Sequence, residues 1–256
     1  MSNGIIIAAG QGSRMGLLTK NIPKCLLEVR GKSLLNHSIE NMKSLNCSKI
    51  NVVVGYKKEK ISSLGINKIE NKLFLENNVL HSLFQAKDFM NETTYITYSD
   101  IWVNRNNYLK LQKCEGDITI VIDEDWKKNY QNRKLHPMTE AEKVILNKYN
   151  YVTEIGKNIS DNSNVHEFIG LLKLSAKGSE IFVNEFKKIS LLYNMNDKFY
   201  NAKEFKKAYL TDFILYLIDK SYQINTLKIR GGWSEFDTQE DIDLFEKRQY
   251  YSQNNV

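Results

Sequence analysis

Short apolar runs alternate with amphipathic stretches through the first half of the chain, and this alternation predicts strands that alternate with helices. Continuous apolar runs predict buried strands at residues 4–9, 50–54, 73–75, 94–98 and 118–122. Apolar residues at helical spacing predict helices at residues 33–45, 80–89 and 104–113. A repeated β-loop-α-β unit requires right-handed crossovers between parallel strands, so we predict an α/β protein with a mainly parallel sheet.

The second half of the chain has a mixed pattern. Residues 123–138 are polar and aromatic without a clear period, which is typical of an insertion over a sheet. A hairpin is predicted from residues 144–146 and 152–155. Further strands are predicted at 168–174 and 224–229, and helices at 179–186, 210–219 and 239–250. We predict a single domain over residues 1–256, with a lid or acceptor-binding insertion at about 123–165.

Composition narrows the class of protein. The 256 residues carry a net charge of +6, but the basic residues are spread along the chain, so no patch for nucleic acid is predicted. An acidic small-molecule substrate fits this mild excess. Cys25, Cys47 and Cys114 have no metal-binding spacing, which favours free thiols in a reducing cytoplasm. The sequence lacks a signal peptide and a long apolar run, so we expect a cytoplasmic protein without a membrane span.

A glycine-rich loop follows the first predicted strand, and two nucleotide-binding patterns can be tested against it. A P-loop would end at Gly31-Lys32-Ser33, but Leu26 occupies the position of its first glycine. Gly10, Gly12 and Gly16 form GxGxxxG, one residue longer than the dinucleotide pattern. The P-loop interpretation therefore fails, and the spacing gives the dinucleotide interpretation little support.

A binding site for a polyphosphate explains the loop better. Glycines allow backbone N–H groups to approach phosphate closely. Arg14 supplies a charged fork that matches phosphate oxygens, and Lys24 adds a point charge directly after Pro23. The glycines alone would equally fit a tight turn between a strand and a helix, and the added Arg14 and Lys24 favour the phosphate site.

The loop AAGQGSRMG followed by Pro23-Lys24 resembles the signature of the sugar-phosphate nucleotidyltransferase family, the nucleoside-diphosphate-sugar pyrophosphorylases. Four later segments resemble the family's motifs in the same order: VVGY at 53–56, ENN with SL at 76–78 and 82–83, SDIW at 99–102, and WSEFDT at 233–238. The resemblance implies a Rossmann-like, three-layer α/β/α fold with a mixed, mainly parallel central sheet. The ENN…SL segment is similar to the choline-phosphate and phosphonate cytidylyltransferase branch, which implies CTP as the nucleotide.

The implied reaction is an in-line displacement at the α-phosphorus of CTP. The acceptor is already an anion near neutral pH, so no general base is required. The resemblance implies catalytic roles for Lys24, Arg14 and Asp100, and a Mg²⁺ site, with Mn²⁺ as an alternative ion, at Asp100 and Asp237. The residues implied to bind the nucleotide are Ala8, Ala9, Gly10, Gln11, Gly12, Ser13, Arg14, Lys24, Gly55, Tyr56, Asn77, Asn78, Ser82 and Ser99. Asp237 and the two asparagines also fit simple helix N-caps.

The segment from Trp126 to Lys143 resembles cytidylyltransferases that activate small phosphorus compounds, including those of capsule phosphoramidate biosynthesis. Acceptor contacts are implied for Trp102, Trp126, Arg133, His136, Glu167, Trp233 and Glu235. The implied acceptor is L-glutamine phosphate, giving CDP-glutamine, with Arg133 on its carboxylate and Glu167 or Glu235 on its ammonium group. CTP and this acceptor are the expected partners, in a monomer or a homodimer.

Other functions remain open from the residues. Choline phosphate, a phosphonate or a sugar 1-phosphate could be the acceptor. Asp123-Glu124-Asp125 has the D-x-D form used by glycosyltransferases that take a nucleotide-sugar donor. A nucleotide sensor without catalysis would share the phosphate loop.

Overall fold

The computed structural model describes residues 1–62, 65–161 and 164–253, with side chains through Arg248. Its strands are β1 Ser2–Ala8, β2 Glu28–Val29, β3 Lys32–Ser33, β4 Cys47–Val54, β5 Asn67–Glu70, β6 Thr93–Tyr98, β7 Ile101–Val103, β8 Ile118–Asp123, β9 Lys143–Leu146, β10 Val152–Gly156, β11 Val165–Leu174, β12 Asn225–Ile229 and β13 Trp233–Glu235. Its α-helices are α1 Leu34–Ser44, α2 Val79–Phe84, α3 Arg105–Gln112, α4 Ala176–Leu192, α5 Leu210–Asp219 and α6 Gln239–Gln253. Within the described part of the chain, no helix combines the length and apolar character needed to cross a membrane.

Nine of these strands form one mixed sheet. β1 pairs in parallel with β4 on one side and β6 on the other, and β5 continues the parallel part beyond β4. β11 runs antiparallel to β6, β8 and β9, while β12 pairs in parallel with β8. The hairpin β9–β10 extends the sheet beside the first residues of β11. The prediction of a mixed, mainly parallel sheet is confirmed.

The central strand β1 is buried on both faces, which explains its continuous apolar run. Ile5 and Ile7 pack in one core cluster, with side chains from α2, α4 and α5. Ile6 and Ala8 pack in the other cluster, with side chains from α1 and α3. Successive side chains of a strand point to opposite faces, so the sheet lies between two helical layers, as the three-layer prediction requires.

A buried amide anchors the start of β1. Asn3 is 4 % exposed, and its Nδ2 donates to the Phe89 carbonyl at 2.8 Å and to Asn91 Oδ1 at 3.1 Å. Both partners lie just before β6, the parallel neighbour of β1. The amide therefore ties the position of β1 along its axis to that of β6.

Two elements differ from the sequence prediction. The strand predicted at 73–75 is wrong: these residues form a turn, with Leu73 52 % and Leu75 63 % exposed. The strand is β5, a polar edge strand paired with β4, and its side chains gave no apolar signal. The helix predicted at 80–89 ends at Phe84 and continues as a short 3₁₀ helix, Lys87–Phe89.

The segment predicted as an insertion is partly sheet. Its strands β9 and β10 belong to the central sheet, whereas residues 124–142 lie outside it and form the 3₁₀ helices Trp126–Tyr130 and Met138–Glu140. Residues 162–163 of the predicted segment lie outside the described residues. The irregular part thus leads directly from β8 into β9.

Candidate active site

A cavity of about 600 Å³ opens where the parallel strands end. The carboxyl ends of parallel strands meet at one sheet edge, which is where α/β proteins bind ligands. Most of the predicted nucleotide-binding residues line this cavity, namely Ala8, Ala9, Gly10, Gly12, Ser13, Arg14, Lys24, Asn77, Asn78, Ser82 and Ser99. The cavity is therefore the place where the sequence predicted the nucleotide.

The glycine-rich loop is shaped around Lys24. Gly12 has a φ of 62°, and a Cβ atom there would lie 2.9 Å from Lys24 Cβ, so both conformation and space require glycine. The 3₁₀ helix Ser13–Thr19 follows, and the Thr19 hydroxyl donates to the Gly12 carbonyl at 2.9 Å. These contacts hold the loop against the lysine at the cavity floor.

Lys24 joins the two aspartates that the sequence predicted as metal ligands. Its Nζ lies 2.8 Å from Asp100 Oδ2 and also contacts Asp237 Oδ1. Arg14 Nη2 lies 2.6 Å from Asp237 Oδ2. The structure thus brings together all four predicted charged residues of the reaction centre.

The surrounding charges favour the ionised forms of Lys24 and Asp237. Burial acts to lower the pKa of Lys24, but nearby Asp100, Asp237 and Glu235 outweigh it and raise that pKa above its ordinary value. Burial acts to raise the pKa of Asp237, but Lys24 and Arg14 outweigh it and lower that pKa. A buried, compensated ion pair of this kind presents both positive and negative groups to a ligand.

Asp100 and Asp237 fit a hard divalent cation. Asp100 Oδ1 is buried and has no hydrogen-bond partner among the described residues. Both carboxylates already converge on one positive group, the Lys24 ammonium. Carboxylate oxygens are the ligands that Mg²⁺ prefers, so this donor set suits the ion that the sequence implied.

An amide network forms one end of the cavity. Asn71 Nδ2 donates to Asn77 Oδ1 at 2.7 Å and to Ser82 Oγ at 2.9 Å. Asn71 is 1 % exposed and was missed, because a single asparagine in a polar stretch carries no pattern. Asn78 caps α2, accepting from the Val79 N–H at 2.8 Å, so the helix-cap interpretation holds for it as well.

Buried carboxyl groups form another wall. Glu167 is 1 % exposed, accepts a hydrogen bond from Tyr130 Oη at 2.5 Å, and leaves Oε2 without a partner among the described residues. Glu142 accepts from Tyr98 Oη at 3.2 Å. Burial raises the pKa of Glu142 to about 8 and that of Glu167 well above its ordinary value. Glu142 lies in the segment from Trp126 to Lys143, but the resemblance of that segment did not distinguish it from its neighbours.

Another carboxylate, that of Glu140, forms ion pairs across the mouth of the cavity. Its Oε2 lies 3.5 Å from Arg14 Nη1 and 2.8 Å from Lys157 Nζ. Neither Glu140 nor Lys157 was predicted, because nothing in the sequence links the 3₁₀ helix Met138–Glu140 to the end of β10. The bridge connects the irregular segment 124–142 to the phosphate loop.

The predicted aromatic contacts need correction. Trp126 is 1 % exposed and donates from Nε1 to the Val165 carbonyl, so it is a core residue beneath the segment 124–142. Trp102 stacks under the Arg30 guanidinium, 3.8 Å from its ring centroid, and does not line the cavity. Trp233 lines the cavity, but its Nε1 is bound to Asp123 at 2.7 Å. The tryptophans form no aromatic box.

Arg133 and His136 also lie behind the cavity wall rather than in it. Arg133 Nε is 2.9 Å from Asp241 Oδ1, and its Nη2 donates to the Glu235 carbonyl at 3.0 Å. The predicted role of Arg133 on an acceptor carboxylate is therefore not supported, because its guanidinium is fixed by internal partners. His136 is buried beside Asp241, Glu235 and Asp237.

Three residues that were predicted to contact the nucleotide do not line the cavity. Tyr56 Oη lies 3.0 Å and 2.8 Å from the carbonyls of Thr19 and Lys20, so it supports the end of the phosphate loop. A Cβ atom at Gly55 would lie 2.7 Å from the Ala9 carbonyl, which makes this glycine a spacer between two loops. Gln11 is exposed beside the lining residues Gly10 and Gly12.

The D-x-D segment has a structural role. Asp123 is fully buried and accepts from Trp233 Nε1, the Gly231 N–H and the Asp125 N–H. Asp125 pairs with Lys128 at 2.7 Å and does not line the cavity. These contacts disfavour the glycosyltransferase hypothesis.

Sequence comparison identifies the relatives of the chain. Residues 4–106 match a MobA-like NTP transferase domain. The chain is 32 % identical to a CTP:phosphoglutamine cytidylyltransferase of Campylobacter jejuni, over 94 % of this chain and 98 % of that protein. It is also 32 % identical to a choline-phosphate cytidylyltransferase of Streptococcus pneumoniae, over 45 % of this chain and 49 % of that protein.

Structure comparison agrees on the fold. The solved CTP:phosphocholine cytidylyltransferase of Streptococcus pneumoniae superposes with a TM-score of 0.73, at 22 % identity, over 97 % of this chain and 99 % of that one. The inositol-1-phosphate CTP transferase of T. maritima gives a TM-score of 0.71 at 20 % identity, over 96 % of each chain. The chain belongs to the nucleotidyltransferase family that contains the CTP:phosphoglutamine cytidylyltransferase of Campylobacter jejuni.

Proposed function

We propose that the protein transfers CMP from CTP to L-glutamine phosphate, giving CDP-glutamine and pyrophosphate, in the cytoplasm. The proposal rests on the distribution of charge in the cavity, which has positive groups in one wall and a carboxyl group in another. Arg14 and Lys24 supply positive charge beside the glycine-rich loop, whereas the unpartnered carboxyl oxygen of Glu167 lies in another wall. An anionic triphosphate and a cationic amino group can therefore bind in one chamber.

The charged loop residues account for the transfer step. An acceptor phosphate oxygen attacks the α-phosphorus of CTP, and the bond to the pyrophosphate leaving group breaks. No proton has to be removed from the acceptor, so positioning and charge stabilisation supply the catalysis. Lys24 and Arg14 would exchange their carboxylate partners for phosphate oxygens when the nucleotide binds.

A magnesium ion fits this scheme at Asp100 and Asp237. It would neutralise charge on the triphosphate and so assist departure of pyrophosphate. The unpartnered Asp100 Oδ1 supports this assignment. Asp237 connects the two parts of the centre, because it also contacts Lys24 and Arg14.

The amide network of Asn71, Asn77 and Ser82 supports recognition of a base at its own end of the cavity. We expect CTP to raise the Tm more than ATP, GTP or UTP in the presence of Mg²⁺, because a bound ligand stabilises the folded state. Asn77→Ala should reduce the CTP shift and leave the shift with pyrophosphate unchanged, since pyrophosphate needs only the phosphate loop. Equal shifts for all four nucleotides would remove the assigned role of this network.

The carboxyl wall favours a primary ammonium over trimethylammonium. A buried carboxyl oxygen without a donor, Glu167 Oε2, gains most from an N–H group. A quaternary ammonium has no N–H, and it is best held by an aromatic cage. Aromatic side chains also line the cavity, namely those of Phe74, Tyr98, Phe168, Tyr209 and Trp233, but none of them donates a hydrogen bond to Glu167 Oε2. An amino-acid phosphate therefore fits better than choline phosphate.

The substitution Glu167→Gln tests whether this carboxyl wall binds the acceptor. Burial favours the neutral form of Glu167, and a bound ammonium group favours the ionised form. Glutamine cannot ionise, so Glu167→Gln should raise the KM for phosphoglutamine about 10- to 100-fold, because a hydrogen bond to a charged group contributes about 1.5–3 kcal/mol. The KM for CTP should stay unchanged. Steady-state release of pyrophosphate, with each substrate varied in turn, measures both constants.

Glu185→Gln is the matched control for this variant. Glu185 is also a buried glutamate bound by tyrosine hydroxyls, Tyr216 and Tyr222, but it lies on α4 and does not line the cavity. Its replacement should leave both KM values unchanged. The acceptor assignment itself fails if wild-type protein releases pyrophosphate with choline phosphate and not with phosphoglutamine.

A further inference from the structure

Three metal-binding side chains meet behind the phosphate site. His136 comes from the segment 124–142, Glu235 from β13, and Asp237 from the residues just before α6. One donor atom from each lies within 4.8 Å of the other two. His136 Nε2 is 3.7 Å from Glu235 Oε2 and 3.7 Å from Asp237 Oδ2.

The imidazole of His136 is held in one orientation by a carboxylate. Its Nδ1 lies 3.2 Å from Asp241 Oδ2. The same oxygen accepts from the N–H groups of Asp237 and Thr238, each at 2.8 Å, and from the Thr238 hydroxyl at 3.0 Å. Arg133 Nη1 also lies near Nδ1, at 3.5 Å, but the contact with the Asp241 carboxylate is shorter. A carboxylate oxygen can only accept, so this contact favours a proton on Nδ1 and leaves the lone pair on Nε2.

The free nitrogen of His136 points at negative charge. Its side chain is 0 % exposed, and Nε2 has no hydrogen-bond partner among the described residues. Of the neighbouring positive groups, Arg133 donates to the Glu235 backbone carbonyl, while Lys24 and Arg14 contact Asp237 on the side of the phosphate loop. A cation between Nε2 and the carboxyl groups of Glu235 and Asp237 would give all three groups a partner.

We propose that His136 Nε2, Glu235 and Asp237 form a site for a first-row transition dication such as Zn²⁺. Imidazole nitrogen suits zinc and its neighbours, whereas magnesium prefers oxygen alone. Three protein ligands with an open position are typical of reactive zinc sites, and a carboxylate behind the histidine commonly orients it. Asp241 occupies that supporting position.

The observed separations suit such an ion after a small contraction. Zinc binds nitrogen and oxygen at about 2.0–2.2 Å, which places tetrahedral ligand atoms about 3.3–3.6 Å apart. The 3.7 Å distances from Nε2 are only slightly longer. Asp237 would belong to both this site and the proposed Asp100 magnesium site, and Glu235, which the sequence assigned to the acceptor, would serve the metal instead.

Zinc titration of chelator-stripped protein by calorimetry tests the site without CTP or acceptor. Wild-type protein should bind one Zn²⁺ tightly, and His136→Gln should bind it about 100-fold more weakly, since even loss of a supporting group costs about 10- to 100-fold in affinity. His166→Gln is the matched control, because His166 lies on β11 near Lys228 and Glu124, outside this cluster. Asp100→Asn should also keep the zinc affinity.

The wild-type protein provides a readout that needs no folded variant. In ¹H–¹⁵N spectra of the imidazoles, Zn²⁺ should shift Nε2 of one of the four histidines, and His136→Gln should lack that signal. An unchanged imidazole spectrum, or equal zinc affinity in His136→Gln, would overturn the site and indicate that a proton occupies Nε2. Neither result bears on cytidylyl transfer, which the release of pyrophosphate tests separately.

Discussion

Replacing Lys24 with methionine should lower kcat for pyrophosphate release about 10²- to 10³-fold, the cost of removing one group that stabilises developing charge. The Lys24 ammonium lies at the floor of the phosphate loop, and its aspartate partners keep it fully charged. Methionine preserves the length of the side chain and removes only the charge. The measurement is single-turnover release of pyrophosphate at saturating CTP and acceptor.

Lys20→Met is the matched control for this variant. Lys20 is exposed at the end of the same loop and contributes its backbone carbonyl, not its ammonium group, to the contact with Tyr56. Its kcat should equal that of the wild type. In Lys24→Met the two aspartates lose a competing cation, so Mg²⁺ binding should not weaken. A variant that loses Mg²⁺ binding and activity together would instead assign Lys24 a structural role.

The second large effect is expected for Asp100→Asn. Removing this carboxylate should reduce kcat/KM at least about 100-fold at millimolar Mg²⁺, because the amide gives up the charge that holds the ion near the triphosphate. The substitution keeps the shape of the side chain, and Lys24 retains Asp237 as a partner. Activity measured as a function of Mg²⁺ concentration should show a higher midpoint as well as a lower plateau.

Asp125→Asn separates this assignment from the glycosyltransferase hypothesis. Asp125 carries the last carboxylate of the D-x-D segment, but it pairs with the neighbouring Lys128 at 2.7 Å and does not line the cavity. We expect its activity and Mg²⁺ dependence to match the wild type. If Asp125→Asn loses activity and Asp100→Asn keeps it, the metal site has been placed on the wrong carboxylate.

The parts of the fold with strong local patterns were predictable. The run Ile5-Ile6-Ile7 and the glycines after it specify a strand buried on both faces and a loop, and the structure has both. Arg14 and Lys24 were predictable because one positive charge lies within that loop and the other lies shortly after it in the sequence. Asp100 follows a predicted strand, where parallel sheets collect polar side chains.

The contacts made across distant segments could not be predicted. Trp126 was predicted to contact the acceptor, but its indole N–H donates to the carbonyl of Val165 on β11 and the ring is buried. Arg133 looked like a free cation, but Asp241 on α6 neutralises it 2.9 Å away. Asn71 gains its role only because the turn after β5 brings it against α2. In each case the partner lies in a segment that no local pattern connects to the residue.

The amide of Asn3 has a consequence for the geometry of the reaction. Three consecutive isoleucines offer both helical layers nearly the same surface, so packing alone discriminates weakly between β1 and the same strand displaced by one residue. Such a displacement would move Gly10 and Arg14 by about 3.3 Å. The Asn3 bonds to Phe89 and Asn91 oppose it. Asn3 lies at the opposite end of β1 from the phosphate loop and thus fixes the position of that loop along the axis of the strand.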